Sequence, residues 1–532
     1  MAALHTQVLV VGAGPVGLTL ANILGMHGVR TVLVERNAST VGEPRAVSID
    51  DESLRTMQYI GLDEEVRRRI VPGYGSYYFS ARGRCFAKVV PDTLEYGFPR
   101  RSAFRQPILE AQLREGLERF DCVDVRFETN VEGVRDAGTH VIGQLDSGEI
   151  TAEYAVACDG ARSPVREALG IAMSGSTYDC KWLIVDLAGS TDRFRHTRVF
   201  CDPARPGLAL PGPEGTRRYE FMLLPGEDAD AVLDEANVRR LLGRHSEEDA
   251  RLEIVRKVIY HFHARLAQRW RAGRVFLAGD AAHLSPPFAG QGMNSGLRDA
   301  QNLGWKLAWR LRGELGDALL DTYETERKPH AAALIQMAVR MGQVMMPRSA
   351  LRAFATQTAF RALSLYRPAR DYVMQMKYKP PPRFAEGLVC GDAGAALRGR
   401  MFVQPRVETH DGSTVLLDER LGKGFAVVEW HDGVLANARC GDRPLGARLI
   451  RVIPRDHRFV GGAGDFDEVR DASGAIGSLF ESAGIRGVVV RPDRYVAACL
   501  ARDSDAGECD RMLASLSGER SPWIARHITG EP

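Results

Sequence analysis

The most informative stretch of this sequence is Gln7-Val8-Leu9-Val10-Val11-Gly12-Ala13-Gly14-Pro15-Val16-Gly17. A β-branched apolar run leads into a glycine-rich turn, and a helical apolar pattern follows the turn as far as Leu24. A second apolar run ends at Glu35, at the distance expected for one βαβ unit. Strand, tight turn, helix and second strand together predict the dinucleotide-binding unit of a Rossmann-like α/β domain.

Each glycine of this turn has a predicted task. Gly12 permits the tight bend, Gly14 lets backbone amides approach a pyrophosphate, and Gly17 allows helix and strand to pack closely. The helix N-terminus adds a positive dipole, and Glu35 can accept hydrogen bonds from ribose hydroxyls. The predicted nucleotide contacts in this unit are Gly12, Ala13, Gly14, Pro15, Val16, Gly17, Glu35 and Arg36. An ordinary glycine-rich turn is the alternative interpretation, and the turn alone does not distinguish NAD from FAD.

The composition is that of a globular protein without a polyanionic partner. The 532 residues include 70 Lys and Arg against 68 Asp and Glu, so the formal charge is only +2. This balance argues against nucleic acid or an anionic membrane as a partner. The uncharged stretch from Val8 to Met26 has the length of a membrane helix, but its glycines and Pro15 contradict that assignment. Scattered cysteines without a CxxC pair indicate a reducing, cytoplasmic location.

Two further strand patterns end in acidic residues, at Asp159-Gly160 and at Gly279-Asp280. The segments between them alternate apolar and polar residues, which is typical of an antiparallel sheet. The predicted organisation is a nucleotide-binding domain formed by residues 1–180 and 265–380, with a β-rich substrate domain inserted at 181–264. The second part of the nucleotide-binding domain turns helical from Asn294 onward. A linker rich in Pro and Gly precedes a C-terminal α/β domain at residues 400–532.

A second set of motifs narrows the choice of cofactor. The segment Ala278-Gly279-Asp280 delivers an aspartate at the end of a strand, and Gly290-Gln291-Gly292-Met293-Asn294 opens a long helix shortly after it. Together with Asp159-Gly160 and the downstream Arg166, these segments resemble the motifs of the class A flavoprotein aromatic hydroxylases, in the same order. The resemblance extends over nearly the whole chain.

This resemblance implies FAD as the cofactor, NADH or NADPH as the electron donor, and O₂ as a co-substrate. It places Asp280 at the ribitol chain of FAD, and it brings Arg45 and Gln106 into contact with the cofactor. The contacts that it implies beyond the first turn are Arg45, Gln106, Asp159, Gly279, Asp280, Pro287, Gly290, Gly292, Met293 and Asn294. It also implies that the C-terminal domain is thioredoxin-like without redox cysteines, and that the nicotinamide donor has no nucleotide domain of its own.

The activity that the resemblance implies is hydroxylation of a phenolic ring ortho to an existing hydroxyl, through a flavin C4a-hydroperoxide. The expected substrate is a small aromatic compound, 3-(3-hydroxyphenyl)propionate or a related phenylpropanoid acid. The alternative is a tailoring hydroxylase or epoxidase of a larger polyketide-like substrate, and a flavin-bearing redox sensor is a non-enzymatic alternative. The sequence does not determine the oligomeric state, for which a homodimer is the commonest outcome.

Ring activation requires removal of the phenolic proton, which costs about 4 kcal/mol at pH 7 for a phenol with a pKa of about 10. The candidate acceptors are Tyr219 on the inserted sheet, or His261 and His263, which share one face if their segment is a strand. Arg218 is the candidate partner of a substrate carboxylate, because guanidinium binds carboxylate in a bidentate manner. No metal site is predicted, since the two histidines lack a third ligand.

Overall fold

A computed structural model describes residues 4–40, 42, 45–433, 444–459 and 466–517 of the chain. The strands in this part of the chain are, in order, β1 (Leu4–Val11), β2 (Thr31–Val34), β3 (Ser48–Asp50), β4 (Val71–Pro72), β5 (Ser76–Ser80), β6 (Cys85–Val89), β7 (Arg101–Ala103), β8 (Val123–Arg126), β9 (Val131–Asp136), β10 (Val141–Leu145), β11 (Gly148–Ala157), β12 (Met173–Ala188), β13 (Thr197–Cys201), β14 (Gly207–Pro211), β15 (Arg217–Met222), β16 (Glu253–Ala267), β17 (Arg271–Ala272), β18 (Val275–Leu277), β19 (His283–Leu284), β20 (Arg406–Thr409), β21 (Thr414–Leu416), β22 (Ala426–Trp430), β23 (Arg448–Pro454), β24 (Asp467–Asp471), β25 (Ile485–Val490) and β26 (Val496–Ala501).

The α-helices are α1 (Pro15–Met26), α2 (Asp51–Tyr59), α3 (Asp63–Arg68), α4 (Gln106–Glu115), α5 (Pro164–Ala168), α6 (Ala229–Leu233), α7 (Glu235–Gly243), α8 (Gly292–Leu311), α9 (Ala318–Met345), α10 (Ala350–Leu365), α11 (Arg367–Met374), α12 (Asp418–Leu421), α13 (Ala475–Ala483) and α14 (Ala506–Ser517). None of these described helices combines the length and the apolar character that a membrane crossing requires.

The central sheet is built around the predicted βαβ unit. Its strand order is β17-β18-β11-β1-β2-β8, and β1 pairs in parallel with both β2 and β11. The apolar runs of β1 and β2 are buried throughout nearly their whole length, as expected for strands inside a parallel sheet. Because β1, β11 and β18 run in the same direction, the residues that follow them meet at one edge of the sheet. Gly12, Asp159 and Asp280 therefore become neighbours.

The second sheet is mainly antiparallel, with the strand order β19-β16-β12-β15-β14-β13-β5-β6. The predicted boundaries 181–264 are too narrow for it, because β12 begins at Met173 and β16 continues to Ala267. Strands β5 and β6 also join this sheet from the region assigned to the first part of the nucleotide-binding domain. Pairing between distant segments extends the sheet, and local alternation in the sequence does not reveal such pairing.

The C-terminal domain contains a seven-stranded sheet with the order β21-β20-β24-β23-β22-β25-β26. Strands β22 and β23 are parallel, whereas β25 and β26 continue the sheet in antiparallel pairs. This is the strand arrangement of a thioredoxin-like core, as the family resemblance implied. The predicted range 400–532 includes residues 434–443, 460–465 and 518–532, which lie outside the described residues.

Buried ion pairs attach this domain to the nucleotide-binding domain. The Arg491 guanidinium donates to both carboxylate oxygens of Glu326 on α9, at 2.7 and 2.8 Å. Lys306 on α8, in the same domain as Glu326, donates to that carboxylate at 2.6 Å, and Arg55 on α2 pairs with Asp418 of the C-terminal domain at 2.7 Å. All of these side chains are almost completely buried. Charges that are paired and buried in this way fix the two domains in one relative orientation, because removing one partner would leave an uncompensated charge.

Candidate active site

A cavity of about 430 Å³ lies at the edge of the central sheet and extends to the second sheet. Fifteen of the predicted cofactor contacts line it: Gly12, Ala13, Gly14, Pro15, Val16, Glu35, Arg36, Arg45, Gln106, Asp159, Asp280, Pro287, Gly290, Gly292 and Met293. We call the part of the cavity lined by these residues the cofactor half. The other predicted contacts, Gly17, Gly279 and Asn294, lie behind its wall.

The glycine turn has the shape that a nucleotide pyrophosphate requires. Gly12 has a φ of +103°, and a Cβ atom there would lie 2.6 Å from the carbonyl oxygen of Cys158. A side chain at Gly17 would collide with the carbonyl oxygen of Gly12, so α1 packs directly on the turn. At Gly14, by contrast, a Cβ atom would meet no atom of the described residues within 4 Å outside its chain neighbours, because Gly14 opens onto the cavity. A ligand can therefore contact the backbone at the N-terminus of α1.

Glu35 anchors this turn from the end of β2. Its Oε2 atom accepts a hydrogen bond from the backbone N–H of Ala13 at 2.9 Å, and Oε1 accepts one from the N–H of Asn37 at 3.0 Å. Oε1 also accepts a hydrogen bond from the Asn37 side-chain amide at 2.5 Å. A carboxylate oxygen can accept about two hydrogen bonds, so Oε2 retains capacity for a ligand hydroxyl. Glu35 lines the cofactor half, and its ribose-binding role stays a prediction.

Two aspartates face the cavity from the other parallel strands. Asp280, after β18, is open to the cavity, while the surrounding protein raises the pKa of its carboxyl; His283 and Arg45 act in the opposite direction. Asp159, after β11, accepts a hydrogen bond from the N–H of Val165 at 3.2 Å through Oδ2. Its Oδ1 atom is buried without a partner among the described residues, and burial raises its pKa. Both carboxyls can accept hydrogen bonds from a polyhydroxylated ligand.

The N-terminus of α8 closes the cofactor half. Gly292 and Met293 line the cavity, and the N-cap residue Gln291 forms no capping hydrogen bond through its side chain. Asn294 has a different position from the one predicted. Its Nδ2 group donates to the carbonyls of Ser48 and Gly290 at 3.0 and 2.7 Å, and its Oδ1 accepts from the N–H of Asp50 at 3.0 Å. The side chain therefore joins the helix to the strand β3 and does not face the cofactor half.

The remainder of the cavity is a largely apolar pocket, which we call the substrate chamber. Its floor consists of inward-facing residues of the second sheet, and helices and loops supply the opposite wall. The lining residues are Tyr74, Ser76, Tyr78, Arg101, Thr197, Val199, Leu208, Leu210, Arg218, Glu220, Phe288, Met341, Met345 and Met376. Aliphatic and aromatic walls with few polar groups suit a small aromatic molecule, and the flexible methionines can adapt to its outline.

Arg101 is a polar group of the chamber that the sequence did not reveal. Its guanidinium donates to the Ser76 hydroxyl at 2.8 Å and to the Tyr74 hydroxyl at 3.0 Å, and it lies over the Tyr74 ring. Its Nε–H is buried without a partner in the described part of the chain, where no carboxylate forms an ion pair with it. A cation held by neutral hydroxyls can bind an anionic ligand.

Arg218, the predicted carboxylate partner, lines the chamber but is already engaged. Its Nε and Nη2 donate to the two carboxylate oxygens of Asp186 at 2.7 and 3.0 Å, and its Nη1 donates to the Arg45 carbonyl at 2.7 Å. This bidentate pair corrects the expectation that Arg218 receives the substrate carboxylate. The side chain instead holds the segment that contains Arg45.

The three predicted proton acceptors also lie elsewhere. The Tyr219 hydroxyl donates to Asp249 at 2.7 Å on the opposite face of the second sheet, within a core formed with Phe221. His261 is exposed, and His263 is hydrogen-bonded to Thr177 at 3.0 Å, while Phe262 between them packs toward the chamber. The Tyr219 prediction selected a strand of the chamber but its wrong face, because successive side chains of a strand point in opposite directions. Strand β16, which holds both histidines, contributes no lining residue to the cavity.

The chain is similar to known protein families and to individual hydroxylases. Residues 5–338 match the model of the FAD binding domain family, and residues 399–516 match that of the HcaD C-terminal domain. A 3-(3-hydroxy-phenyl)propionate/3-hydroxycinnamic acid hydroxylase of Mycobacterium sp. (strain KMS) is 41% identical over 93% of this chain and 89% of its own length. The hydroxylase of the same name from Burkholderia cenocepacia (strain HI2424) is 42% identical over 93% of this chain and 94% of its own.

Solved structures agree on the fold. The flavin-dependent monooxygenase PieE, solved with FAD and substrate, has a TM-score of 0.79 at 22% identity, covering 96% of this chain and 99% of its own. A ternary complex of aklavinone-11 hydroxylase with FAD and aklavinone has a TM-score of 0.75 at 26% identity, covering 97% of this chain and 100% of its own. The family matches and the geometry of the cofactor half together establish that this chain belongs to the class A FAD-dependent aromatic hydroxylases and is a flavoprotein monooxygenase.

Proposed function

We propose that this enzyme uses NADH or NADPH and O₂ to hydroxylate a phenolic ring ortho to its hydroxyl, with 3-(3-hydroxyphenyl)propionate or a related phenylpropanoid acid as substrate. The overall reaction consumes the aromatic C–H compound, O₂, NAD(P)H and a proton, and yields the catechol, water and NAD(P)⁺. The observation that carries the proposal is an apolar chamber beside the cofactor half that contains a guanidinium without a carboxylate partner among the described residues.

The cofactor half fits FAD. We propose that the N-terminus of α1 binds the pyrophosphate, Glu35 the adenosine ribose, and Asp280 the ribitol chain. Bound FAD supplies the activation of O₂ and the transfer of one oxygen atom. The N–H groups at Gly292 and Met293 would stabilise negative charge at the edge of a ring system that reaches them, because the helix dipole is positive there.

The substrate chamber offers partners for both the aromatic ring and the carboxylate of a phenylpropanoid acid. The aromatic ring would pack between Val199, Leu208 and Met345, which exclude water from the reacting carbon. The carboxylate would bind Arg101, whose neutral hydroxyl partners leave its charge available. Relatives at 40–42% identity that are named for such acids favour this small substrate over the polyketide-like alternative. We also propose a cytoplasmic location, where NAD(P)H is supplied.

The test is oxidation of NADH and NADPH by the FAD-loaded protein, with and without 3-(3-hydroxyphenyl)propionate, combined with mass analysis of the product. We expect stimulated oxidation and a product that has gained one oxygen atom. Stimulation without product would make the compound an effector whose binding leads only to peroxide. No stimulation in a protein that holds FAD would reject the phenylpropanoid substrate and direct the search to larger phenols.

A further inference from the structure

A carboxyl group in the floor of the substrate chamber takes no part in the interactions described above. Glu220 lies on β15, lines the chamber, and is only 6% exposed. Among the described residues its carboxyl has no hydrogen-bond or ion-pair partner, and its direct cross-strand neighbours are Leu208 on β14 and Ile184 on β12, both apolar. A buried carboxyl that opens only onto a ligand chamber is set to interact with a ligand.

The charged groups near Glu220 do not neutralise it. Arg218, two residues earlier on the same face, is paired with Asp186 on β12, and Arg256 on β16 lies 3.9 Å from the same aspartate. Strand β14 contributes no charge beside it. Burial is the largest influence on this carboxyl and raises its pKa to about 7, against the opposing effect of Arg218. Both protonation states are therefore accessible near neutral pH.

We propose that Glu220 is the catalytic base that removes the phenolic proton of the substrate, an inference that rests on the proposed function. The phenol O–H bond breaks, an O–H bond forms on a carboxylate oxygen of Glu220, and the electron pair stays on the phenolate oxygen. No oxidant or reductant is consumed in this step. The negative charge enters the ring and enriches the ortho carbon, which is the position to be oxygenated. In water at pH 7 only about one molecule in a thousand of a phenol with a pKa of about 10 is ionised, and Glu220 would place the acceptor for this proton inside the chamber.

The sheet register places Glu220 and Arg101 far enough apart to contact opposite ends of one substrate molecule. Glu220 is paired with Leu208, Leu208 with Val199, and Val199 with Tyr78, so one row of side chains crosses β15, β14, β13 and β5. Arg101 donates to Ser76 on β5, at the far end of this row. Three inter-strand steps span about 14 Å between the outer backbones, and the side chains shorten the gap from both sides. A substrate with its carboxylate at Arg101 directs its opposite, hydroxylated end toward Glu220.

The experiment compares wild type with Glu220→Gln, which keeps the shape of the side chain but cannot accept the proton. The first readout is the absorption of 3-(3-hydroxy-4-nitrophenyl)propionate bound to the FAD-loaded, oxidised enzyme, because its phenolate absorbs at longer wavelength than its phenol. We expect wild type to bind the phenolate with an inflection near pH 7, and the variant to bind the phenol at that pH. Affinity for 3-phenylpropionate, which lacks the hydroxyl, should be unchanged within about twofold.

The second readout is coupled hydroxylation of 3-(3-hydroxyphenyl)propionate as a function of pH. The wild-type rate should rise with pH through the Glu220 pKa of about 7, and Glu220→Gln should lose this limb and about 100-fold in rate. Glu220→Asp should restore part of the limb, and Glu253→Gln, the same change at an exposed position of the same sheet, should behave as wild type.

The outcomes separate the two proposals. If wild type hydroxylates the substrate while Glu220→Gln keeps both the phenolate spectrum and the pH profile, the assignment of Glu220 is overturned and the proposed function stands. If wild type neither binds the nitrophenol nor hydroxylates the substrate, the proposed function fails and the inference fails with it. Retained FAD absorption in Glu220→Gln shows that the variant is folded.

Discussion

The two halves of the cavity differ in the chemical material from which they are built. The cofactor half is formed largely by backbone at glycine turns and helix N-termini, with carboxylates at the ends of parallel strands. The substrate chamber is formed by side chains from β5, β13, β14 and β15 and from helices that are distant in sequence. A backbone site needs local glycines and therefore leaves a local signature. A side-chain site depends on which strands pair and which face each residue occupies.

The largest expected effect comes from substituting glycines of the turn between β1 and α1. Gly17→Ala places a methyl group against the carbonyl oxygen of Gly12, so α1 must move away from β1. We expect it to lower the free energy of unfolding by about 3 kcal/mol and to abolish FAD retention. Denaturant unfolding of the apoprotein and the FAD content of the purified protein measure the two effects.

Gly14→Ala is the matched control for this prediction. Gly14 has a φ of −77°, which alanine adopts, and the Cβ of alanine would enter the cavity at more than 4 Å from every described atom outside its chain neighbours. We expect the apoprotein to lose no more than about 1 kcal/mol of stability, the cost of alanine at an N-cap. The affinity for FAD should nevertheless fall at least about tenfold, which corresponds to about 1.4 kcal/mol. Equal FAD affinity in Gly14→Ala and wild type would mean that the cofactor does not approach this turn.

A smaller effect is expected in the chamber, from Arg101→Gln. The change removes the positive charge and keeps a hydrogen-bonding group near Ser76 and Tyr74. We expect KM for 3-(3-hydroxyphenyl)propionate to rise about 100-fold, close to 2.7 kcal/mol, because a buried ionic contact is lost. The kcat value should change little, since the carboxylate is bound equally in the ground state and the transition state.

The uncharged amide of the same substrate provides the control for Arg101→Gln. Wild type should prefer the acid to the amide by about 100-fold, and the variant should lose this preference, in line with the loss of one charge-assisted contact. An undiminished preference for the acid in the variant would assign carboxylate recognition to another group. In that case the lack of a carboxylate partner at Arg101 among the described residues would not identify the site that binds the substrate carboxylate.

The contrast between the halves also explains what the sequence could and could not predict. Gly12, Glu35 and Asp280 were identified from local spacing, because parallel strands bring their carboxyl ends to one edge in every fold of this type. Arg101 and Glu220 are 119 positions apart, and only the pairing of β5, β13, β14 and β15 brings them to one chamber. No pattern in the neighbourhood of either residue announces that pairing.

The face of β15 was the second obstacle. All but the last residue of this strand are buried, so burial does not distinguish its two sides. The sequence of β15 shows two faces, a charged one with Arg218 and Glu220 and an aromatic one with Tyr219 and Phe221. From the sequence alone, the aromatic face could equally be the one that contacts an aromatic substrate. The structure reverses that assignment, because α6 and α7 cover the aromatic face and the charged face lines the chamber. The signal available in the sequence was an acidic residue, Glu220, two positions after Arg218 on the same face of a strand.

The smallest predicted effect tests this reversal directly. Tyr219→Phe removes the hydrogen bond to Asp249 and leaves the ring in its core, where it stacks on Phe221. We expect a loss of about 1–2 kcal/mol in the free energy of unfolding, because the buried Asp249 carboxylate keeps its bond from Ser190 but loses one donor. The kcat, KM and pH profile for 3-(3-hydroxyphenyl)propionate should equal those of wild type. Urea unfolding and steady-state kinetics on the same preparation measure both. A fall in kcat larger than about tenfold without a change in stability would return the proton-acceptor role to Tyr219 and remove it from the opposite face of the strand.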